Sequence, residues 1–150
     1  ALAGHDCTAI DVLAATDYVA AAIEVIDSRI QQRQIGIIEF VADNASSARF
    51  ALGRKRVRPA DVDLTDLDAA LYVGFGERDV LVTKGNTGAV LANPVNAIVW
   101  LARTLAAVDV DLQPGQVLLS GSCIRAVDVA RGDHYRGCVT GLGEVIVEFV

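Results

Sequence analysis

The sequence predicts one domain of mixed α and β structure, mostly β, with antiparallel strands and two main peripheral helices. Apolar and polar residues alternate over residues 67–73 and 144–150, the period of half-buried strands. Gly132-Asp133 and Gly141-Leu142-Gly143 supply tight turns between strands near the end of the chain. With 150 residues, of which 53% are hydrophobic and 21% charged, the chain is long enough and apolar enough for one core.

Two helices are predicted from their N-terminal signals. Thr8 and Asp11 fit a capping box, and the pattern after it predicts a short helix through about Tyr18. Asn93 and Pro94 are typical of an N-cap and a first helical position. The apolar stripe of this second helix comprises Val95, Ile98, Val99, Ala102 and Leu105.

The strands are predicted from β-branched runs and from alternation between turn signals. They cover residues 20–26, 50–52, 67–73, 80–83, 116–120, 126–129, 134–139 and 144–150. Residues 29–40 fit neither the helical nor the strand period, and residues 43–47 and 84–92 are expected to form loops. The resulting fold is a mixed, mostly antiparallel β structure.

Composition excludes several classes of function. The net charge is -6 and there is no basic stripe with interleaved aromatic residues, so we expect no nucleic-acid partner. No apolar run reaches the roughly 18–20 residues that span a bilayer, and no signal peptide or lipidation box is present, so we expect a cytoplasmic protein without a membrane partner. The three cysteines have no CxxC spacing, which favours reduced thiols over a disulfide framework or a zinc site.

Glu24 is the most informative residue, because it lies within the apolar run from Ala22 to Ile26. A carboxylate buried in such a strand must be protonated, paired or bound to a cation. About twenty residues later the chain has a compact polar segment, 42–47. A buried acid followed by this segment predicts a small-molecule site that contains a metal.

Five segments in this order carry a resemblance to a known family: residues 11–19, 23–30, 41–47, 93–102 and 117–122. Together they resemble the 2-hydroxypenta-2,4-dienoate (2-keto-4-pentenoate) hydratases and the 4-oxalocrotonate decarboxylases of the fumarylacetoacetate hydrolase superfamily. The resemblance covers essentially the whole chain. It implies a mixed β-roll or sandwich of the type found in the C-terminal part of that superfamily.

The resemblance implies a lyase of aromatic meta-cleavage catabolism with Mg²⁺ (or Mn²⁺) held by three carboxylates, one of them Glu24. The other two belong to an E-x-E motif upstream of the helix near Thr8 in this family. We therefore expect residues 1–150 to be a single catalytic-type domain that forms the C-terminal part of a longer chain, and to be inactive alone. The family also implies a homo-oligomer that can associate with other enzymes of the pathway.

The resemblance suggests roles for the polar segments. Asp43, Ser46 and Ser47 are the catalytic candidates, and Asn44 is expected to hydrogen-bond substrate. Ser120, Gly121 and Ser122 are expected to bind the substrate carboxylate through the Ser122 hydroxyl or nearby backbone N–H groups. The alternatives are a self-capped turn at 43–47 and a strand-end turn at 120–122. Arg29 is expected to belong to a structural network, paired with Asp27 or Glu24.

Arg49 bears on the choice of substrate, since an arginine is a natural partner for the second carboxylate of a dicarboxylic acid. The segment around it looks more like the decarboxylases, whereas residues 94–100 look more like the hydratases. The expected function is hydration of 2-hydroxypenta-2,4-dienoate to 4-hydroxy-2-oxopentanoate. The alternatives are 4-oxalocrotonate decarboxylation on the same scaffold and a non-catalytic partner or scaffold subunit.

Overall fold

The computed structural model describes residues 2, 4–31, 36–74 and 76–150, the last range including residue 77 by its backbone alone. The described residues form three α-helices and six strands, all paired antiparallel, so the mixed α and β class is confirmed. The helices are α1 (Ala9–Ala15), α2 (Ile37–Ala42) and α3 (Pro94–Ala106). The strands are β1 (Ala22–Ile26), β2 (Ser47–Leu52), β3 (Asp68–Val73), β4 (Val80–Asn86), β5 (His134–Val139) and β6 (Gly143–Glu148).

Both predicted helix starts are confirmed. The Thr8 backbone N–H donates to the Asp11 carboxylate over 2.8 Å, and the Asp11 N–H donates to the Thr8 hydroxyl over 3.3 Å. The Asn93 side chain accepts a hydrogen bond from the Val95 N–H at 2.9 Å, which caps α3. The first helix ends at Ala15, earlier than the sequence predicts, because the next residue is already extended.

The strands form two sheets. A four-stranded sheet has the order β4-β3-β5-β6, and β1 pairs with β2 in a separate two-stranded sheet. Alternation on β3 is confirmed, since Ala69 and Leu71 are buried. The register of β1 against β2 shifts between Val25 and Ile26, which marks a β-bulge at the end of β1.

The core has two parts. One lies around α1 and α3 and contains Cys7, Val12, Val95, Ala102 and Leu112. The other contains Ala21, Leu67, Leu142 and Val145, where the β1–β2 pair approaches β6. The space between α3, β1 and the sheet becomes the candidate site.

The predicted strands at 116–120 and 126–129 are wrong. The described residues supply no ladder partner for this segment, and a strand requires a paired backbone. The loop predicted at 84–92 is corrected at its start, because β4 continues to Asn86. Residues 29–40, whose sequence fitted neither the helical nor the strand period, include the start of α2, and residues 32–35 lie outside the described residues.

One described stretch, Thr87–Ala106, is apolar and long enough by composition to cross a membrane. The structure divides it, since a 3₁₀ turn occupies Thr87–Ala89 and α3 begins only after Asn93. Val95, Ala102 and Ala106 on α3 are buried against the core, so this helix is explained by packing within the domain.

Candidate active site

A cavity of about 840 Å³ lies between β1, β3, β5, α3 and the segment 112–127. Its volume falls within the range of small-molecule pockets. The described residues that line it are mostly aliphatic, and those with charged side chains are Asp17, Glu24 and Arg125. The cavity therefore suits a largely apolar ligand with few charged groups.

Glu24 lines this cavity, but it is not buried. Its side chain is exposed and lies on β1 directly opposite Phe50 of β2, which is 51% exposed. The expectation of a buried acid is therefore wrong. The physical reason is that β1 and β2 form a two-stranded sheet, and the described residues leave its Glu24 face open.

The segment from Ser120 to Ser122 also lines the cavity, as expected for a ligand-binding segment. The Ser122 hydroxyl donates to the Ile124 carbonyl over 2.7 Å and accepts from the Ile124 N–H over 3.3 Å, so it is largely used within its own turn. Ser120 is half-buried. Gly121 adopts φ of +102°, a conformation that favours glycine. Ser120 and the backbone at Gly121 are the better donors toward a ligand.

Asp43 is buried within a hydrogen-bond network and does not line the cavity. Its carboxylate accepts from the hydroxyls of Ser28 and Ser46, each at 3.0 Å, and from the Arg29 Nε at 2.7 Å. Burial alone would raise the pKa of Asp43, but these hydrogen bonds outweigh it and hold the pKa below its usual range. The predicted structural network around Arg29 is present, with Asp43 as its partner in place of Asp27 or Glu24.

This network holds an unusual turn. Asn44, Ala45 and Ser46 have φ of +55°, +52° and +60°, three successive left-handed residues without a glycine. Each such residue costs roughly 1 kcal/mol in backbone free energy. Arg29 donates to the carbonyl oxygens of Asp43 and Ser47 on either side of the turn, and so joins its two ends.

The sequence-predicted residues thus fall into two groups. Glu24 and the 120–122 segment meet at the cavity, whereas Asp43 and Ser46 belong to the network beside β1. The cavity lining within the described residues does not include Asn44, Ser47 or Arg49 either.

Arg49 is separated from Glu24 by the register of the hairpin. Arg49 pairs with Val25 and Phe50 pairs with Glu24, so Arg49 and Glu24 lie on opposite faces. The guanidinium Nη1 of Arg49 donates to the neighbouring Ala48 carbonyl at 2.9 Å. The structure does not bring Arg49 to the cavity.

Comparison with known proteins gives relatives over nearly the whole chain, although no protein-family model matches it. The chain is 39% identical over 139 residues to 2-keto-4-pentenoate hydratase 1 of Dechloromonas aromatica, covering 93% of this chain and 51% of the relative. It is 36% identical over 155 residues to the 2-oxo-hept-4-ene-1,7-dioate hydratase of Escherichia coli, covering 99% and 57%. The solved 4-oxalocrotonate decarboxylase from Pseudomonas putida G7, complexed with magnesium and adipate, matches with a TM-score of 0.90 and 36% identity over 99% of this chain and 55% of that one.

Over nearly its whole length the chain is similar to the 2-keto-4-pentenoate hydratases and to a solved 4-oxalocrotonate decarboxylase. It spans about half the length of the curated relatives it matches. The predicted resemblance to this family is confirmed.

The cation site expected from the family is incomplete within the described residues. No group of three or more His, Cys, Asp or Glu side chains is placed there to hold a metal ion. Glu24 offers a carboxylate oxygen at the cavity, the ligand type that Mg²⁺ prefers. Asp43, the buried acid among the described residues, is already bonded to Arg29. This part of the family fold therefore fits one ligand of a cation, and not a whole site.

Arg125 and Asp17 are charged cavity residues that the sequence did not indicate as site residues. Arg125 lies three residues after Ser122, between the strands predicted at 116–120 and 126–129. The sequence signal that could have indicated Arg125 is its closeness to the predicted carboxylate-binding segment, residues 120–122. That closeness becomes informative only once the segment is known to line a cavity.

Proposed function

We propose that this chain carries part of the active site of a divalent-cation-dependent lyase of aromatic meta-cleavage catabolism, which hydrates 2-hydroxypenta-2,4-dienoate to 4-hydroxy-2-oxopentanoate. The observation that carries the proposal is that Glu24 and the Ser120–Ser122 segment, far apart in the sequence, line one apolar cavity. The named hydratases among its relatives support the reaction class.

The cavity suits a short conjugated acid. Aliphatic walls from residues such as Ile23, Leu71 and Val139 accommodate a flat hydrocarbon chain. The Ser120 hydroxyl and the backbone around Gly121 can donate hydrogen bonds to its carboxylate. These contacts would fix one end of the substrate in the cavity.

Glu24 would hold one coordination position of Mg²⁺ or Mn²⁺ at the substrate's 2-oxo acid end. When bound, such a cation supplies polarisation of the carbonyl oxygen. The remaining ligands would come from outside the described residues. The Asp43 network would act indirectly, since the Asp27 N–H that follows β1 donates to the Ser46 carbonyl at 2.8 Å and ties the strand end to the turn.

The same proposal assigns residues 1–150 to a single catalytic-type domain of β-roll or sandwich form in a cytoplasmic homo-oligomer that can associate with other pathway enzymes. Exposed aliphatic side chains such as Ile10 and Ile38, each 78% exposed, support buried contacts with other subunits.

Decarboxylation of 4-oxalocrotonate is the second candidate, favoured by the high structural similarity to the solved decarboxylase. A non-catalytic partner subunit is the third, favoured by the incomplete cation site within the described residues. Release of CO₂ from 4-oxalocrotonate would identify the decarboxylase. A chain that turns over neither acid, in any setting, would support the partner subunit.

The test is a hydration assay in the presence of Mg²⁺, in which turnover is measured as the loss of dienol absorbance. The 150-residue chain is assayed alone and also as a chimera, in which it replaces the matched region of the Dechloromonas aromatica hydratase. We expect the chimera to be active. The Glu24→Gln change should lower its turnover roughly hundredfold or more, since the amide keeps the shape of the side chain and removes the charged ligand. The matched control is Glu148→Gln, an exposed strand glutamate outside the cavity lining. Full activity of the Glu24→Gln chimera would contradict the proposed role.

A further inference from the structure

One face of the four-stranded sheet is uncovered in this chain. On the inner face, Ala69, Leu71 and Val145 are buried. On the opposite face, Leu81 of β4 is 49% exposed and Ile146 of β6 is 60% exposed, so each outer strand presents a large aliphatic side chain. We call this opposite side the outer face, and it comprises Leu81, Lys84, Ala70, Tyr72, Arg136, Cys138, Glu144 and Ile146.

The ladder register arranges the outer face in two rows that cross the strands. Residues that pair directly in an antiparallel sheet point to the same face. From β4 to β6, the rows are Lys84-Ala70-Cys138-Glu144 and Leu81-Tyr72-Arg136-Ile146. A β-bulge between the rows brings Leu81 and Lys84, three positions apart, to the same face. One row therefore has a cation at one end and an anion at the other, and the second row has an aliphatic residue at each end.

The charged ends of the first row are little used within the chain. Lys84 is exposed and forms no ion pair with another described residue. The Glu144 side chain is 56% exposed, and its ion pair with Arg136 is long, at 3.5 Å. Arg136 is held more closely by Asp79, at 2.6 Å, and stacks 4.5 Å from the centre of the Tyr72 ring. Lys84 and Glu144 are therefore available to opposite charges on another molecule.

We propose that the outer face binds a second copy of this chain across a two-fold axis that runs parallel to the strands, between β3 and β5. Such an axis turns each row onto the same row of the second copy, so that β4 of one copy faces β6 of the other. Lys84 then lies opposite Glu144 of the second copy, and Leu81 lies opposite Ile146 of the second copy. Each of these pairs occurs twice in the dimer. Two aligned sheets pack about 10 Å apart, a gap that side chains of this size fill.

Self-complementarity is the reason to place a second copy on this face. A partner that was only acidic or only basic would leave one charged end of the first row without an opposite charge. The face is about 14 Å wide over three strand spacings and about 20 Å long over six residues, less than the roughly 800 Å² that a standard interface buries on each partner. The dimer should therefore be weak and reversible. The proposal rests on the homo-oligomer included in the proposed function and is independent of the lyase reaction.

The test measures self-association of the 150-residue chain by sedimentation velocity over a series of protein concentrations. Lys84→Glu and Glu144→Lys each place like charges opposite one another twice per dimer, and each should weaken the dimer at least about tenfold. An equimolar mixture of the two variants restores opposite charges at both positions. A heterodimer as tight as the unmodified dimer should therefore form in the mixture, although neither variant dimerises well alone.

Further variants and a labelling measurement locate the contact. Ile146→Asp should weaken the dimer, whereas Ile10→Asp is the matched control, because Ile10 is 78% exposed on α1 and lies outside the outer face. Circular dichroism of each variant separates loss of the dimer from loss of the fold. Cys138 lies in the first row beside the proposed axis, so a thiol reagent should label it more slowly as the protein concentration rises. Labelling of Cys123, on the cavity wall, should not change.

Three results would overturn the inference. They are a chain that stays monomeric at every concentration, single charge variants that dimerise as well as the unmodified chain, and a mixture of the two variants that does not associate. Loss of the dimer in Ile10→Asp but not in Ile146→Asp would place the contact on α1 instead. The hydration assay is scored separately, so an active chimera beside a monomeric chain would refute this interface and leave the proposed lyase intact.

Discussion

Gly85 offers the sharpest test of how the cavity wall is positioned. It lies on β4, where the segment that carries Cys123 and Ile124 passes very close to the strand. A Cβ added at Gly85 would lie 2.0 Å from the Cys123 carbonyl oxygen and 3.1 Å from the Ile124 Cγ2. Its φ is not in the left-handed region, so Gly85→Ala introduces a steric clash without backbone strain.

The magnitude follows from the size of the clash. Ordinary van der Waals contact begins at 3.4 Å, so the carbonyl must move by 1.4 Å, the difference between 3.4 and 2.0 Å. The obstructing atom belongs to the backbone, so no side-chain rotation can relieve the contact. Overpacking of this kind costs about 1–3 kcal/mol in free energy of unfolding. The displaced residues Cys123 and Ile124 line the cavity, so turnover of the chimera in the hydration assay should also fall.

Unfolding in urea is monitored by far-ultraviolet circular dichroism, and turnover is measured in the hydration assay of the chimera. Gly132→Ala is the control, because Gly132 has φ of +92° and open space around it. That variant should lose about 1–2 kcal/mol in free energy of unfolding through backbone strain and keep its turnover. Unchanged stability and unchanged turnover in Gly85→Ala would refute the described docking of residues 123–124 on β4.

Two further changes test the local networks. Asp43→Asn should lower the thermal midpoint at neutral pH, because an amide cannot accept all of the hydrogen bonds that reach the carboxylate. Because the folded pKa of Asp43 is lowered, its stabilisation is present above the ordinary carboxyl pKa of about 4 and is lost as the pH falls through and below it. Melts between pH 3 and pH 7 should therefore show a smaller acid-side loss in Asp43→Asn than in the unmodified chain, and equal losses would contradict the network. Thr8→Ala should cost about 0.5–2 kcal/mol in urea denaturation through loss of the cap, and Thr8→Ser should restore most of it.

Features that depend on neighbouring residues in the chain were predictable. The capping box at Thr8 and the Asn93 cap act over two or three residues, so the sequence contains both partners. The alternation of apolar and polar residues on β3 and on β6 could also be predicted, because a strand with one buried face has a sequence period of two.

Features that depend on residues far apart in the sequence could not be predicted from it. Residues 116–120 have the β-branched and aliphatic composition of a strand, yet a strand exists only where another backbone lies beside it. Exposure of Glu24 depends on whether a layer covers its face of the hairpin, which an apolar run does not specify. The place of Arg125 on the cavity wall likewise depends on contacts between segments far apart in sequence.

The exposure of Glu24 changes the physical argument for a cation at this position. A buried carboxylate would need a cation to offset its desolvation, so removing the charge would affect folding and function together. An exposed carboxylate has little desolvation to offset, so the folded domain does not depend on a cation there. The case for Glu24 as a ligand then rests on its place in the cavity beside the Ser120 segment. It follows that Glu24→Gln should leave the unfolding curve of the chain almost unchanged. A loss of turnover in that variant would then report on the chemistry of the site and not on the stability of the fold.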